Sequence, residues 1–280
     1  MKAILLDTDG SVQRQELDRH FNMDTVNLAD IRNNLQFYAA RRAVSECAHR
    51  VGRYGAMQRN IYLLGSGDFH HLTLLLLEQI DSPFAFIVFD NHTDCSFPYP
   101  KYHCGNWMYH AARLKMCKMI LHVGATEKHG ALGRLALSTL VQSGKLKQLP
   151  GAECVEPDGV DKFKKLVFEN GFNTLPVYVS IDKDVLCGDE APGDWDNGIM
   201  KMSILSKMLE SIMDNCSIAG ADITGEHGGK FHYRQSPLKN LFSFLEHPGQ
   251  RQEPLFEIDA KQRIINLEIM EIFGAGHVAH

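Results

Sequence analysis

The chain has 280 residues, 44% of them hydrophobic, and a formal net charge of −5 at pH 7. This length suits one large α/β domain or two small ones, with enough apolar residues for a sizeable core. Lys and Arg residues form no block or stripe, which argues against nucleic acid as a partner. No apolar run, TLLLL included, is long enough to span a bilayer, so we expect no membrane partner.

Seven cysteines lie along the chain without a paired CxxC spacing. The first residues, MKAILLDTDG, lack the long apolar core of a signal peptide. We therefore expect reduced thiols and a cytoplasmic protein.

Short apolar runs alternate with longer amphipathic runs from one end of the chain to the other. The apolar runs predict strands at residues 3–6, 61–64, 84–89, 119–123, 175–181 and 217–223. The amphipathic runs predict helices near 35–52, 71–80, 106–117, 131–143, 159–170, 203–214 and 237–246. A surface loop at 246–254 and a last element near 262–273 follow.

The predicted strands are apolar on both faces, which is typical of a parallel sheet covered by helices. No linker-like segment divides the chain. The predicted fold is therefore α/β, with a single domain over residues 1–280.

Potential metal ligands follow the predicted strand FAFIVF (84–89) without a gap. They are Asp90, His92 and Asp94. Extended backbone has a side-chain period of two, so continued extension would place all three on one side. Two carboxylates and an imidazole this close to one another repel or desolvate each other unless something compensates them, and a metal cation would do so. The pattern predicts a metal site, and the simpler interpretation is a polar turn that caps a helix.

Two further predicted strands end in similar residues. Asp182 and Asp184 follow LPVYVSI, and His70 or His71 follows IYLL within GSGDFHH. In open parallel sheets, ligands bind outside the carboxyl ends of the strands. An oxygen-rich set with some imidazole suits Mn²⁺, with Fe²⁺ or Zn²⁺ as alternatives. So many ligands fit two ions that share carboxylates.

The three motifs together resemble those of the arginase–agmatinase–formimidoylglutamase family, the ureohydrolases. GSGDFHH, DNHTD and SIDKD with APGDWDNG correspond in order to GGDH, DAHxD and SxDxD with its Pro-Gly loop, across residues 60–230. The resemblance implies a three-layer α/β/α sandwich with a central parallel sheet. It also implies two Mn²⁺ ions per chain, and hydrolysis of a C–N bond in a small guanidino or formimino compound by a bridging hydroxide. Trimers or hexamers are expected from the same resemblance.

The resemblance also implies a role for each residue that matches a motif. The implied metal ligands are His70, Asp90, His92, Asp94, Asp182 and Asp184. Asp90 and Asp182 would bridge both ions, His70 and Asp94 would belong to the first ion, and His92 and Asp184 to the second.

The remaining implied roles are catalysis, assigned to Asp94 and Glu226, and substrate binding, assigned to His103, Asn106 and Glu226. Two departures from the family pattern affect these assignments. The extra Phe69 in GSGDFHH leaves His71 as an alternative first ligand. Glu226 also comes one residue later than in the family's DxxE motif.

Other functions fit parts of the sequence. AILLDTDGSV resembles the first motif of haloacid-dehalogenase-type phosphatases, in which Asp7 would be the nucleophile and Asp9 the acid/base beside Mg²⁺. A strand followed by an Asp-Gly turn explains the same residues. A single-Zn²⁺ deacylase of the same fold and a non-catalytic member of the ureohydrolase fold are further alternatives.

Overall fold

A single parallel sheet organises the computed structural model, which describes residues 1–54, 59–96, 99–126, 131–229 and 253–278. The strands are β1 (Lys2–Asp7), β2 (Met23–Asn27), β3 (Asn60–Leu63), β4 (Phe84–Phe89), β5 (Cys117–Val123), β6 (Leu146–Leu149), β7 (Val177–Asp182) and β8 (Ile218–Thr224). Their order in the sheet is β2-β1-β3-β8-β7-β4-β5-β6, and every neighbouring pair is parallel.

Helices connect the strands and cover both faces of the sheet. They are α1 (Arg32–Leu35), α2 (Arg41–Gly52), α3 (Leu72–Leu77), α4 (Trp107–Ala111), α5 (Ala131–Gln142), α6 (Gly151–Cys154), α7 (Gly159–Glu169), α8 (Met202–Asn215) and a helix at Leu255–Ile272. The helix predicted at 237–246 and most of the loop predicted at 246–254 lie outside the described residues.

The sequence-based prediction omitted both edge strands. Only Val26 of β2 is buried, and the two central residues of β6 are half-buried. An edge strand with few buried residues lacks the continuous apolar run that identifies a central strand. The predicted helix 35–52 is also interrupted, because Phe37 takes a φ of +60° between α1 and α2.

Two apolar cores lie on opposite faces of the sheet. One packs the sheet against α7, α8 and the helix Leu255–Ile272, and the other packs it against α2, α3 and α4. Strand β4 supplies both cores, because its alternate residues point to opposite faces. The predicted three-layer α/β/α fold is confirmed. That residues 1–280 form one domain stays a prediction.

The sheet order decides where a functional site forms. Strands β3, β8, β7 and β4 are consecutive neighbours at its centre. Because all strands are parallel, the residues after their carboxyl ends meet along one edge. Within the parts of the chain that the structure describes, no helix is both long and apolar enough to cross a membrane.

Stability is expected to depend strongly on Phe86 at the centre of β4. Its side chain is fully buried, with ring centroids 5.9 Å from Trp107 and 6.2 Å from Tyr178. Phe86→Ala should lower the free energy of unfolding by about 3–5 kcal/mol, because it removes buried area and leaves a cavity. Urea unfolding measures this loss. Phe256→Ala, at a residue 72% exposed, is the control and should change stability by at most about 0.5 kcal/mol. Equal losses would contradict the assigned core.

Candidate metal centre

The loop after β4 brings its three candidate ligands together by turning rather than by extension. β4 ends at Phe89, the next residues bend, and Asp94 takes a φ of +45°. The backbone N–H of His92 donates to Asp90 Oδ1 at 2.7 Å and fixes this bend. The predicted period-two geometry is therefore wrong past Asp90.

The end of β7 folds in a related way. Residues Lys183–Val185 form a 3₁₀ turn, and the Asp184 N–H donates to Asp182 Oδ1 at 3.0 Å. Asp184 in turn accepts from the Asn91 N–H at 3.0 Å, so the loops after β4 and β7 are tied to each other. Both Asp182 and Asp184 are buried at the junction.

His70 lies at the centre of the carboxylates. Its Nδ1 atom is 3.2 Å from Asp90 Oδ2, 3.3 Å from Asp94 Oδ2 and 3.3 Å from Asp182 Oδ2. This atom is fully buried and makes no hydrogen bond with any described residue. The geometry therefore groups His70, rather than His71, with the acidic residues.

A second cluster shares Asp90 with the first. His92 Nδ1 is 2.7 Å from Asp184 Oδ2 and 3.8 Å from Asp90 Oδ1. Asp90 thus belongs to both clusters, as a bridging ligand would, whereas Asp182 groups with His70 and Asp184 with His92. The bridging role of Asp182 stays a prediction.

The electrostatics of the clusters are those of crowded, buried acids. Burial raises the pKa of Asp90, and the charges of Asp184 and Asp94 raise it further. Burial and the charge of Asp182 likewise raise the pKa of Asp184. For His92, burial opposes protonation, but the charge and hydrogen bond of Asp184, together with the charges of Asp90 and Asp94, outweigh burial and raise its pKa to about 11.

These groups fit a pair of divalent cations. Burying several carboxylates together is unfavourable unless cations compensate them. The buried His70 Nδ1 with carboxylate oxygens around it is the arrangement expected of a ligand nitrogen that shares an ion with them. The mixed oxygen and imidazole donors suit Mn²⁺, Fe²⁺ or Zn²⁺ better than thiolate-bound metals.

The second ring nitrogen of His70 is held by residues that sequence reasoning did not select. His70 Nε2 lies 3.1 Å from Ser180 Oγ, and Ser180 donates to Asp222 Oδ1 at 2.6 Å. Asp222 also accepts from Thr73 at 3.1 Å and from Tyr178 at 2.9 Å. Burial raises the pKa of Asp222 to about 6. Such partners orient the imidazole of a metal ligand.

Part of this support was visible in the sequence. Tyr178, Ser180 and Asp182 are spaced by two along β7, so they share one face of the strand. Asp222 reaches the same network because β8 pairs it with Ser180. That pairing depends on the sheet order, which the sequence does not show.

Two tryptophans contact the clusters. Trp107 donates from Nε1 to Asp94 Oδ2 at 2.5 Å, and its ring lies 4.6 Å from that of His70. Trp195, in the loop after β7, donates to Asp68 Oδ1 at 3.1 Å and lies edge-on to His92. Any side chain at position 67 would collide with Trp195, since a Cβ there would lie 2.9 Å from its Cδ1 atom.

The residues predicted to bind substrate have other contacts in the fold. His103 accepts from the Gly105 N–H at 3.0 Å and stacks on Tyr38, and burial lowers its pKa. Asn106 is buried and donates to the carbonyl of Pro100 at 2.7 Å. Glu226 is also buried and hydrogen-bonded. Their roles toward substrate stay predictions.

The residues of the alternative phosphatase motif are used to form a turn. Asp9 accepts from Ser11 through Oδ1 and from the Ser66 N–H through Oδ2 at 3.1 Å. Asp7 ends β1 and accepts from the Gly10 N–H at 3.2 Å. The strand followed by a turn accounts for these residues, and the phosphatase alternative is not favoured.

The sequence pattern of the arginase family matches residues 4–225, which include every ligand candidate described above. The chain belongs to the arginase family. Members of this family normally bind a binuclear metal centre. A Thermotoga maritima protein, described only as uncharacterized, is 32% identical over 166 residues. That alignment spans 59% of this chain and 58% of the relative's length.

Solved structures of arginase-family enzymes share the fold. The arginase of Bacillus subtilis superposes with a TM-score of 0.65 at 14% identity and covers 98% of both chains. The proclavaminate amidino hydrolase of Streptomyces clavuligerus gives 0.60 at 17% identity, covering 97% of this chain and 92% of its own. The formimidoylglutamase of Bacillus subtilis gives 0.62 at 12% identity, covering 97% and 87%. At these identities the likeness shows the fold.

Metal affinity is expected to depend on the Ser180 hydroxyl that supports His70. Ser180→Ala should weaken Mn²⁺ binding about 10–100-fold, because the imidazole loses the partner that orients it. Isothermal titration calorimetry of the metal-free protein with Mn²⁺ measures this change. Ser217→Ala, at an exposed position before β8, is the matched control. Equal affinities for Ser180→Ala and the unaltered protein would contradict the role assigned to Ser180.

Proposed function

We propose that the protein is a ureohydrolase-type hydrolase that binds two Mn²⁺ ions and cleaves a C–N bond of a small guanidino or formimino compound. The observation that carries the proposal is the pair of clusters sharing Asp90, with His70 in one and His92 in the other. Family membership supports the same chemistry. The solved relatives include an arginase, an amidino hydrolase and a formimidoylglutamase.

The proposed ligand set is divided between the two clusters. His70 and Asp94 would hold the first ion, His92 and Asp184 the second, and Asp90 and Asp182 both. When bound, two such ions supply a nucleophile from water at neutral pH and polarise the carbon that it attacks. Water adds to that carbon, and the C–N bond breaks to release an amine with urea, or with formamide from a formimino compound.

The protein side chains would contribute positioning and proton transfer. Trp107 and Ser180 fix Asp94 and His70, so that the donor atoms meet the ions with little reorganisation. Asp94 retains an exposed fraction of 11% and His92 of 20%, which places both at the open side of the clusters. Asp94 is therefore the carboxylate best placed to take a proton from the attacking water. His103 and Asn106 are proposed to contact the substrate.

The proposal also covers the kind of substrate, the cellular location and the oligomeric state. A small-molecule substrate, a cytoplasmic location and a trimeric or hexameric assembly are part of it. Native mass spectrometry of the purified chain measures the assembly directly.

Removal of the proposed bridging ligands should abolish both metal binding and turnover. Asp90→Ala and Asp182→Ala are each expected to reduce metal content from about two ions per chain to well below one, because each removes a carboxylate shared by the ions. Elemental analysis of protein purified with Mn²⁺ measures the content. Urea and formamide release from arginine, agmatine, guanidinobutyrate and formimidoylglutamate measures turnover.

The control variant is Asp189→Ala, at an exposed acid beyond the metal cluster. It should keep the metal content and activity of the unaltered protein. Normal turnover in Asp90→Ala or Asp182→Ala would overturn the bridging assignment. Full metal content in the unaltered protein, without release of urea or formamide from any of these compounds, would instead favour the alternative of a non-catalytic member of the family.

A further inference from the structure

A buried lysine lies between two of the proposed metal ligands. Lys183 separates Asp182 from Asp184, and its side chain is fully inaccessible to solvent. Its ammonium group donates to Glu226 Oε1 and, at 3.0 Å, to Asn266 Oδ1. The turn that presents both ligands is thus held by an internal cation.

The carboxylate of Glu226 is engaged on both oxygens. Oε1 accepts from Lys183 and from Asn266 Nδ2 at 2.7 Å, and Oε2 accepts from Gln15 Nε2 at 2.6 Å. Glu226 is only 2% exposed. A guanidinium or amidinium group would have to displace Lys183 to form a charge-assisted pair with Glu226. That displacement would leave a buried ammonium without its counter-charge, which is costly.

The same ion pair joins the ligand turn to the end of β8. Gly225, next to Glu226, packs so closely on this turn that a Cβ there would lie 2.3 Å from Asp182 Oδ1 and 2.7 Å from the backbone nitrogen of Lys183. Its φ of +86° also favours glycine. Asn266 lies in the helix Leu255–Ile272, so its hydrogen bond with Lys183 connects that helix to the turn as well. Movement of Lys183 or Glu226 would therefore move Asp182.

We propose that Lys183 and Glu226 form an internal ion pair that positions the Asp182–Asp184 ligand turn, so that the cation balancing Glu226 belongs to the fold and not to the substrate. Both are positioning residues, and this role replaces the substrate contact expected for Glu226 from the family resemblance. The effect on metal affinity rests on the metal centre of the proposed function. The effect on folding does not.

A double-mutant cycle on the full-length chain tests the pair. Lys183→Met and Glu226→Gln should each lower the melting temperature, because each leaves one buried charge without its partner. The double variant should recover most of that loss, since neither charge remains. Each single variant should also weaken Mn²⁺ binding about 10–100-fold in calorimetry, as expected when support of a ligand is lost.

The exposed pair Lys165–Glu169 on α7 is the matched control for the cycle. Its side chains are 70% and 65% exposed, so Lys165→Met and Glu169→Gln should have small, additive effects. The proposal is overturned if Glu226→Gln leaves the melting temperature and Mn²⁺ affinity unchanged while agmatine binding to the Mn²⁺-loaded protein weakens. Additive losses in the Lys183–Glu226 cycle would overturn it as well.

Failure of the proposed function is distinguishable from failure of this inference. If the unaltered protein binds no Mn²⁺, the proposed function fails. The melting-temperature cycle on the metal-free protein still reports whether Lys183 and Glu226 are coupled.

Discussion

The structure is organised around concentrated negative charge at the carboxyl edge of a parallel sheet. Asp90, Asp182 and Asp184 are almost completely buried, and Asp94 is largely so. His70 and His92 approach them as partly compensating groups. A protein interior tolerates such a group of acids when cations or many hydrogen bonds balance it. The other features of this edge are arranged to hold the acids in place against their mutual repulsion.

Support for the acids comes from three directions. Backbone N–H groups of Asn91, His92 and Asp184 donate to the carboxylates from within the two loops. Beyond them, Ser180 and Asp222 orient His70 from the neighbouring strands. On the other side of the β7 turn, Lys183 and Glu226 hold the backbone between two proposed ligands. In each of these three groups, the supporting residues come from more than one strand or from the loops that follow more than one strand.

The sequence was sufficient to predict the central strands and the ligand-bearing loops, because both are local patterns. Apolar runs identified β4 and β7, and the acids that follow them pointed to the candidate site. The geometry of the site did not follow from these patterns. A bend at Asn91 and a 3₁₀ turn at Lys183, rather than extended backbone, bring the candidate ligands together. The edge strands β2 and β6 lack a strong apolar pattern and were missed.

The contacts of Glu226 illustrate what a single sequence cannot show. Its partners are 40, 43 and 211 residues away along the chain. No spacing rule connects Gln15, Lys183 and Asn266, because they meet only through the order of the strands and the packing of the helix Leu255–Ile272. A motif therefore identified Glu226, while the fold decided what it contacts.

The link from His70 through Ser180 to Asp222 has a consequence for the order of events in folding. These residues come from the segments after β3, in β7 and in β8, and His70 and Ser180 are 110 positions apart. A one-residue slip of β8 against β7 would turn Asp222 to the opposite face of the sheet. A cation at the proposed site could then be bound well only after the central strands have paired in the correct register. The ions would act late in folding, selecting the correctly registered sheet over chains that are compact but misaligned.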